Sequence, residues 1–151
     1  MERIASFNVD HDKIEKGIYI SRIDGDIITY DMRTRKPNAG DYMDNITMHS
    51  VEHMFATYIR NSEIGKQVIY FGPMGCRTGF YLLVRDTEPR FVLDAVKAVL
   101  RRIVEHDGEM FGATRAECGN YRELDLDAAK VEANEYLQIL EASDNTFEYP
   151  Q

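Results

Sequence analysis

His49-Ser50-Val51-Glu52-His53 sets two imidazoles four residues apart, with a carboxylate immediately before the second. On an α-helix, residues four apart stand one turn above each other on one face, so both rings can converge on a single ion. Imidazole nitrogens are borderline-soft ligands that suit zinc or iron(II). Glu52 projects beside the pair and need not ligate, which leaves its carboxylate free to move protons. A solvated amphipathic helix could carry the same two histidines with no chemistry. The glutamate in the third gap, with apolar residues on the opposite side, favours the metal.

A metal site needs a third protein ligand, and a catalytic one keeps a fourth position open. Cys118, in Ala116-Glu117-Cys118-Gly119-Asn120, is the natural candidate, because glycine and asparagine favour a turn that exposes its sulfur. A free cysteine is more often a small buried hydrophobe, and His11, His106, Glu117 and Glu123 compete by residue type. The other cysteine lies in Gly72-Pro73-Met74-Gly75-Cys76-Arg77-Thr78-Gly79. Glycines there bring backbone close to whatever the loop faces, and Arg77, if it points inward, would favour a Cys76 thiolate able to act as acid and base.

These motifs, in this order and in a chain this short, resemble the LuxS family of S-ribosylhomocysteine lyases. The likeness runs from Ser6-Phe7 and Asp10-His11 through Asp31-Met32-Arg33 and Pro37-Asn38 to Ala128-Ala129-Lys130. Each motif alone is weak, and their conjunction is specific. The resemblance implies a homodimer with one divalent metal ion per subunit, iron(II) natively and zinc or cobalt as replacements. By matching position, His49, His53 and Cys118 would hold the ion, and Glu52 and Cys76 would be the acid/base pair. Ser6, His11 and Arg33 would contact the ribose end of the substrate, some of them from the neighbouring chain. The implied reaction cleaves the thioether of S-ribosylhomocysteine to homocysteine and 4,5-dihydroxypentane-2,3-dione, the autoinducer-2 precursor. It proceeds by carbonyl migration along the ribose and then β-elimination. Tyr70-Phe71-Gly72 departs from the family, which commonly has an acidic, an apolar and a serine residue there.

The elements that must position these residues can be read from periodicity. Gly17–Ile23 and Ile27–Arg33 flank Asp24-Gly25-Asp26, a hairpin signal. Asp44 or Asn45 can cap a helix in which Met48, Val51, Phe55 and Ile59 recur every three or four residues, to about Arg60. Val68–Phe71 and Thr78–Val84 read as strands. Pro89 suits the first turn of a helix reaching about His106 and ended by Gly108. Asp125 or Asp127 can cap a last helix with Ala128, Val131, Leu137 and Leu140 on its apolar side. Without regular βαβ alternation, the expected fold class is α+β: a single-domain sandwich over residues 1–151, its antiparallel or mixed sheet covered by helices on one face.

Composition narrows the function classes. The 151 residues are 44% hydrophobic and 29% charged, which is enough apolar material for one core. A net charge of −8 argues against nucleic acid, and the basic spots Arg33–Lys36 and Arg101-Arg102 are short. No run is long enough to span a bilayer and no secretion signal is evident, so two cysteines suggest chemistry in a reducing cytoplasm rather than a disulfide. An inverted zinc metallopeptidase shares His-x-x-Glu-His, but it uses a distant glutamate ligand and a long substrate groove. A closed structural zinc module would require four convincing ligands.

Overall fold

Asp24-Gly25-Asp26 does reverse the chain, in a computed structural model that describes residues 1–151. Strand β1 (Gly17–Asp24) pairs antiparallel with β2 (Ile27–Arg33), and Asp24 itself pairs with Ile27. The turn is therefore Gly25-Asp26, with glycine in the first central place at φ +62°, a conformation glycine adopts without penalty. β3 (Val68–Pro73) and β4 (Gly79–Arg85) complete a four-stranded antiparallel sheet in the order β1-β2-β4-β3.

Helix α2 (Asn45–Arg60) begins where the Asp44 carboxylate accepts from the Thr47 amide at 2.7 Å, satisfying one of the unpaired amides of a helix start. A short α1 (Ala5–Asn8) precedes β1, a feature with no periodicity to announce it. Helix α3 (Pro89–Val104) has Pro89 in its first turn, as expected. Helix α4 (Leu126–Ala142) is capped by Asp125, whose carboxylate accepts from the Ala128 amide. None of these helices is long and apolar enough to cross a membrane.

The helices cover one face of the sheet. Ile18, Tyr30, Met32, Phe80, Leu82 and Val84 turn toward them, and α2, α3 and α4 answer with Val51, Phe55, Val96, Leu100, Ala133 and Leu140. Burying each large apolar side chain contributes about 1.5–3 kcal/mol. Phe55 of α2 stacks on Phe71, which stacks on Phe80, with ring centroids 4.4 and 5.0 Å apart. This aromatic column fixes how α2 is set on the sheet, and hence where its histidines point.

The apolar side of α4 differs from the expected one. Val131 is 59% exposed and Ala128 half-buried, while Ala129, Glu132, Ala133, Tyr136, Leu137 and Leu140 are buried. Glu132 can lie inside because Arg35 Nε and Nη2 donate to its two oxygens, both at 2.8 Å. Tyr136 can because its hydroxyl donates to the Gly17 carbonyl at 2.7 Å.

Candidate metal centre

His49 and His53 share one face of α2, their ring centroids 4.6 Å apart. Behind them, Ser50 is fully buried; its hydroxyl donates to the Ile46 carbonyl at 2.6 Å and accepts from the Asp125 amide at 2.7 Å. That second bond ties α2 to the end of the irregular connection between α3 and α4. The connection supplies three further contacts. Glu123 presents its carbonyl to His49 Nδ1 at 2.8 Å, Phe111 presents its carbonyl to His53 Nδ1 at 2.9 Å, and Cys118 brings its sulfur 3.4 Å from His49 Nε2.

A carbonyl oxygen can only accept, so each Nδ1 carries the proton and each Nε2 keeps a lone pair. Ligand atoms of His49, His53 and Cys118 all lie within 4.8 Å of one another. The Asn120 amide donates to Cys118 Sγ at 3.4 Å. Two imidazole nitrogens and one sulfur, with a fourth direction left for water or substrate, fit a tetrahedral divalent ion.

Other predicted ligands are occupied elsewhere. His106 accepts from or donates to Tyr58 Oη at 2.6 Å and meets the Glu109 carbonyl at 2.8 Å. Glu117 takes the Thr114 hydroxyl, His11 meets the Val9 carbonyl, and Glu123 offers backbone rather than carboxylate. Glu52 is half-buried between the two histidines in sequence and forms no hydrogen bond or ion pair within the chain.

Cys76 is exposed at the tip of the turn between β3 and β4. Its sulfur is 3.0 Å from Thr78 Oγ1, which accepts from Arg33 Nη1 at 2.9 Å. The cation near this sulfur is therefore Arg33, brought over by the pairing of Arg33 with Gly79 across β2 and β4. Arg77 does not point inward. It is exposed, in the left-handed region at φ +63°, its guanidinium 3.4 Å from the Met43 carbonyl and 5.8 Å from the centre of the Tyr42 ring. The Met43 amide donates to the Arg77 carbonyl at 3.0 Å, so the Cys76 loop abuts the start of α2. Ser6 and His11, both half-buried near α1, make no hydrogen bond to any of these groups.

Sequence reasoning missed Ser50, Thr78 and Gly112. Gly112 sits at φ +66°, and a Cβ there would lie 3.0 Å from His53 Nδ1. Its only signal was a glycine in an otherwise patternless stretch.

The family model for S-ribosylhomocysteinase (LuxS) matches residues 4–146, which include every one of these groups. The chain belongs to the LuxS family. Among curated LuxS relatives, the S-ribosylhomocysteine lyase of Borreliella burgdorferi strain ZS7 is 43% identical over 157 residues, covering 99% of this chain and all of the relative. That of Finegoldia magna is 41% identical across 93% of this chain and 92% of its own length. That of Desulfotalea psychrophila is 40% identical, with 99% of each covered.

Proposed function

We propose that the chain is a carbon–sulfur lyase that cleaves S-ribosylhomocysteine to homocysteine and 4,5-dihydroxypentane-2,3-dione, all 151 residues acting as one unit. The observation that carries this reading is the pair of histidine tautomers held by backbone carbonyls, with both free nitrogens and a cysteine sulfur gathered at one point. His49, His53 and Cys118 would hold one divalent ion, iron(II) natively, with zinc or cobalt in its place. When bound, such an ion is a Lewis acid that stabilises negative charge developing on adjacent sugar oxygens by several kcal/mol.

The chain's own groups then divide the proton traffic. Cys76 Sγ takes a proton from a ribose carbon and returns it to the neighbouring one, moving the carbonyl along the open chain. The Glu52 carboxylate, unpaired within the protein, relays protons between sugar oxygens and assists expulsion of homocysteine sulfur. Arg33 has five N–H groups, of which three are taken by Asp31 and Thr78, so two remain for the ribose end. Ser6 and His11 would approach that end from a second copy of the chain, since neither is joined to the site within one copy.

A homodimer is supported by the sheet face opposite the helices, where Tyr70 is 51% exposed and Ile27, Thr29, Tyr81 and Leu83 are half-buried without a covering helix. Both cysteines are free, consistent with residence in the cytoplasm. The test is release of thiol from S-ribosylhomocysteine by purified protein, paired with elemental analysis. Stoichiometric metal with thiol release supports the reading. Metal without thiol release leaves only a metal-stabilised module and sinks the lyase.

A further inference from the structure

Asp31 and Arg33 form an ion pair on the sheet face away from the helices, each side chain only 3% exposed. Further hydrogen bonds offset part of the desolvation cost of such a buried pair. Arg33 Nε donates to Asp31 Oδ1 at 3.0 Å and Nη2 to Oδ2 at 2.6 Å. Burial alone would lower the affinity of Arg33 for its proton, but the hydrogen bonds and charge of Asp31 more than offset this and raise it. One more donor reaches the same carboxylate from far along the chain. Tyr149 Oη donates to Asp31 Oδ2 at 2.8 Å.

The segment after α4 is built to deliver that hydroxyl. Asn145 Nδ2 donates to the Leu140 carbonyl at 2.7 Å, closing the helix end. The Ile20 amide donates to the Phe147 carbonyl at 2.8 Å, and Phe147 forms a parallel bridge with Tyr19. The Tyr149 ring then stacks on Tyr19, centroids 4.7 Å apart and planes 18° apart. Burial and the negative charge of Asp31 hold the Tyr149 phenol well above its ordinary value, so it stays a donor throughout the working range. Tyr149 lies beyond residues 4–146, the span matched by the family model.

We propose that Tyr149 is a positioning residue for the reaction: together with Asp31 it locks the plane of the Arg33 guanidinium, so that Nη1 meets Thr78 beside Cys76 and the two uncommitted N–H groups are held for the ribose end of the substrate. The proposal rests on the reading of Arg33 as a substrate contact. Held by Asp31 and Thr78 alone, the guanidinium would still turn with the Asp31 carboxylate. Saturating Oδ2 from the other side removes that freedom before substrate arrives, which lowers the ordering cost of binding.

Tyr149→Phe keeps the stack on Tyr19 and deletes the donor. Thiol-release kinetics are measured for this variant, for Arg33→Lys and for the double variant. Equilibrium binding of S-ribosylhomocysteine is measured in a Cys76→Ala background, where turnover cannot intervene. Loss of one hydrogen bond to a buried carboxylate predicts about a fivefold rise in KM and in the dissociation constant. The expected kcat changes by less than about twofold, metal content is unchanged, Tm falls by no more than a few degrees, and Tyr149→Phe adds nothing to KM in the Arg33→Lys chain. An unchanged KM and dissociation constant, while Arg33→Lys raises both, overturns the proposal and leaves the lyase assignment standing. A lowered Tm with normal kinetics makes Tyr149 a structural residue and overturns it equally. Should Arg33→Lys also leave binding unaltered, the substrate contact of Arg33 fails with it. A native chain that releases no thiol at all removes the reaction itself.

Discussion

The proton on His53 is placed by one backbone carbonyl, that of Phe111, and the next residue is the one that lets this carbonyl approach. Gly112→Ala would force a Cβ to 3.0 Å from His53 Nδ1 and an L-side chain into φ +66°. Metal affinity, measured by competition with a chelator, is expected to fall at least about tenfold, the usual effect of disturbing a ligand's hydrogen-bond partner. An unchanged affinity would show that the Phe111 carbonyl does not orient the ring. The two cysteines separate by role. Cys76→Ala should keep its metal and lose nearly all turnover, whereas Cys118→Ala should lose both; normal turnover in the first variant refutes Cys76 as the proton carrier. The imidazole pair was legible in the sequence because helical spacing is local. The cation beside Cys76 was not, because adjacency in sequence pointed to Arg77 while strand pairing supplied Arg33.

Helix α2 bears both histidines, and its start rests on Asp44. The hydrogen bond from the Thr47 amide holds the Asp44 carboxyl below its ordinary value of 3.8. A carboxylate held low contributes stability above the unfolded value and loses it as pH falls through the folded one. Asp44→Ala should therefore cost about 1 kcal/mol near neutrality. The gap from wild type should close as urea titrations move below pH 3.8; a gap that persists in acid contradicts the cap. This cap, the hairpin and Pro89 were all readable, since each depends on residues within one turn of one another. The buried side of α4 was not. Apolar periodicity selected Val131 and passed over Glu132, whose burial depends on Arg35, a partner far away in sequence. The connection between α3 and α4 offered no period at all, although it provides Cys118 and both carbonyls that fix the histidines.

At the scale of the molecule, sheet and helices form two layers, and only one face of the sheet is covered by helices. Sedimentation analysis is expected to find two copies associated, with Tyr70→Glu shifting the equilibrium toward single chains; a wild-type chain that sediments as a monomer at micromolar concentration refutes the dimer. The proposed ion would join two residues of α2 to Cys118, which follows the whole of α3 in the chain. Free metal at one hundred times its dissociation constant adds about 2.7 kcal/mol, so chelation should lower Tm by roughly 5–10 °C. Melting curves that superimpose with and without chelator would exclude the site. Because two of the three proposed ligands sit on a helix and the third on a stretch without regular structure, the ion would serve as a clasp as well as a reagent. Amides between residues 105 and 124 should become the first to exchange with solvent once it leaves, while those of the sheet stay protected. Inactivation by metal loss and susceptibility to proteases in that stretch would then share one cause.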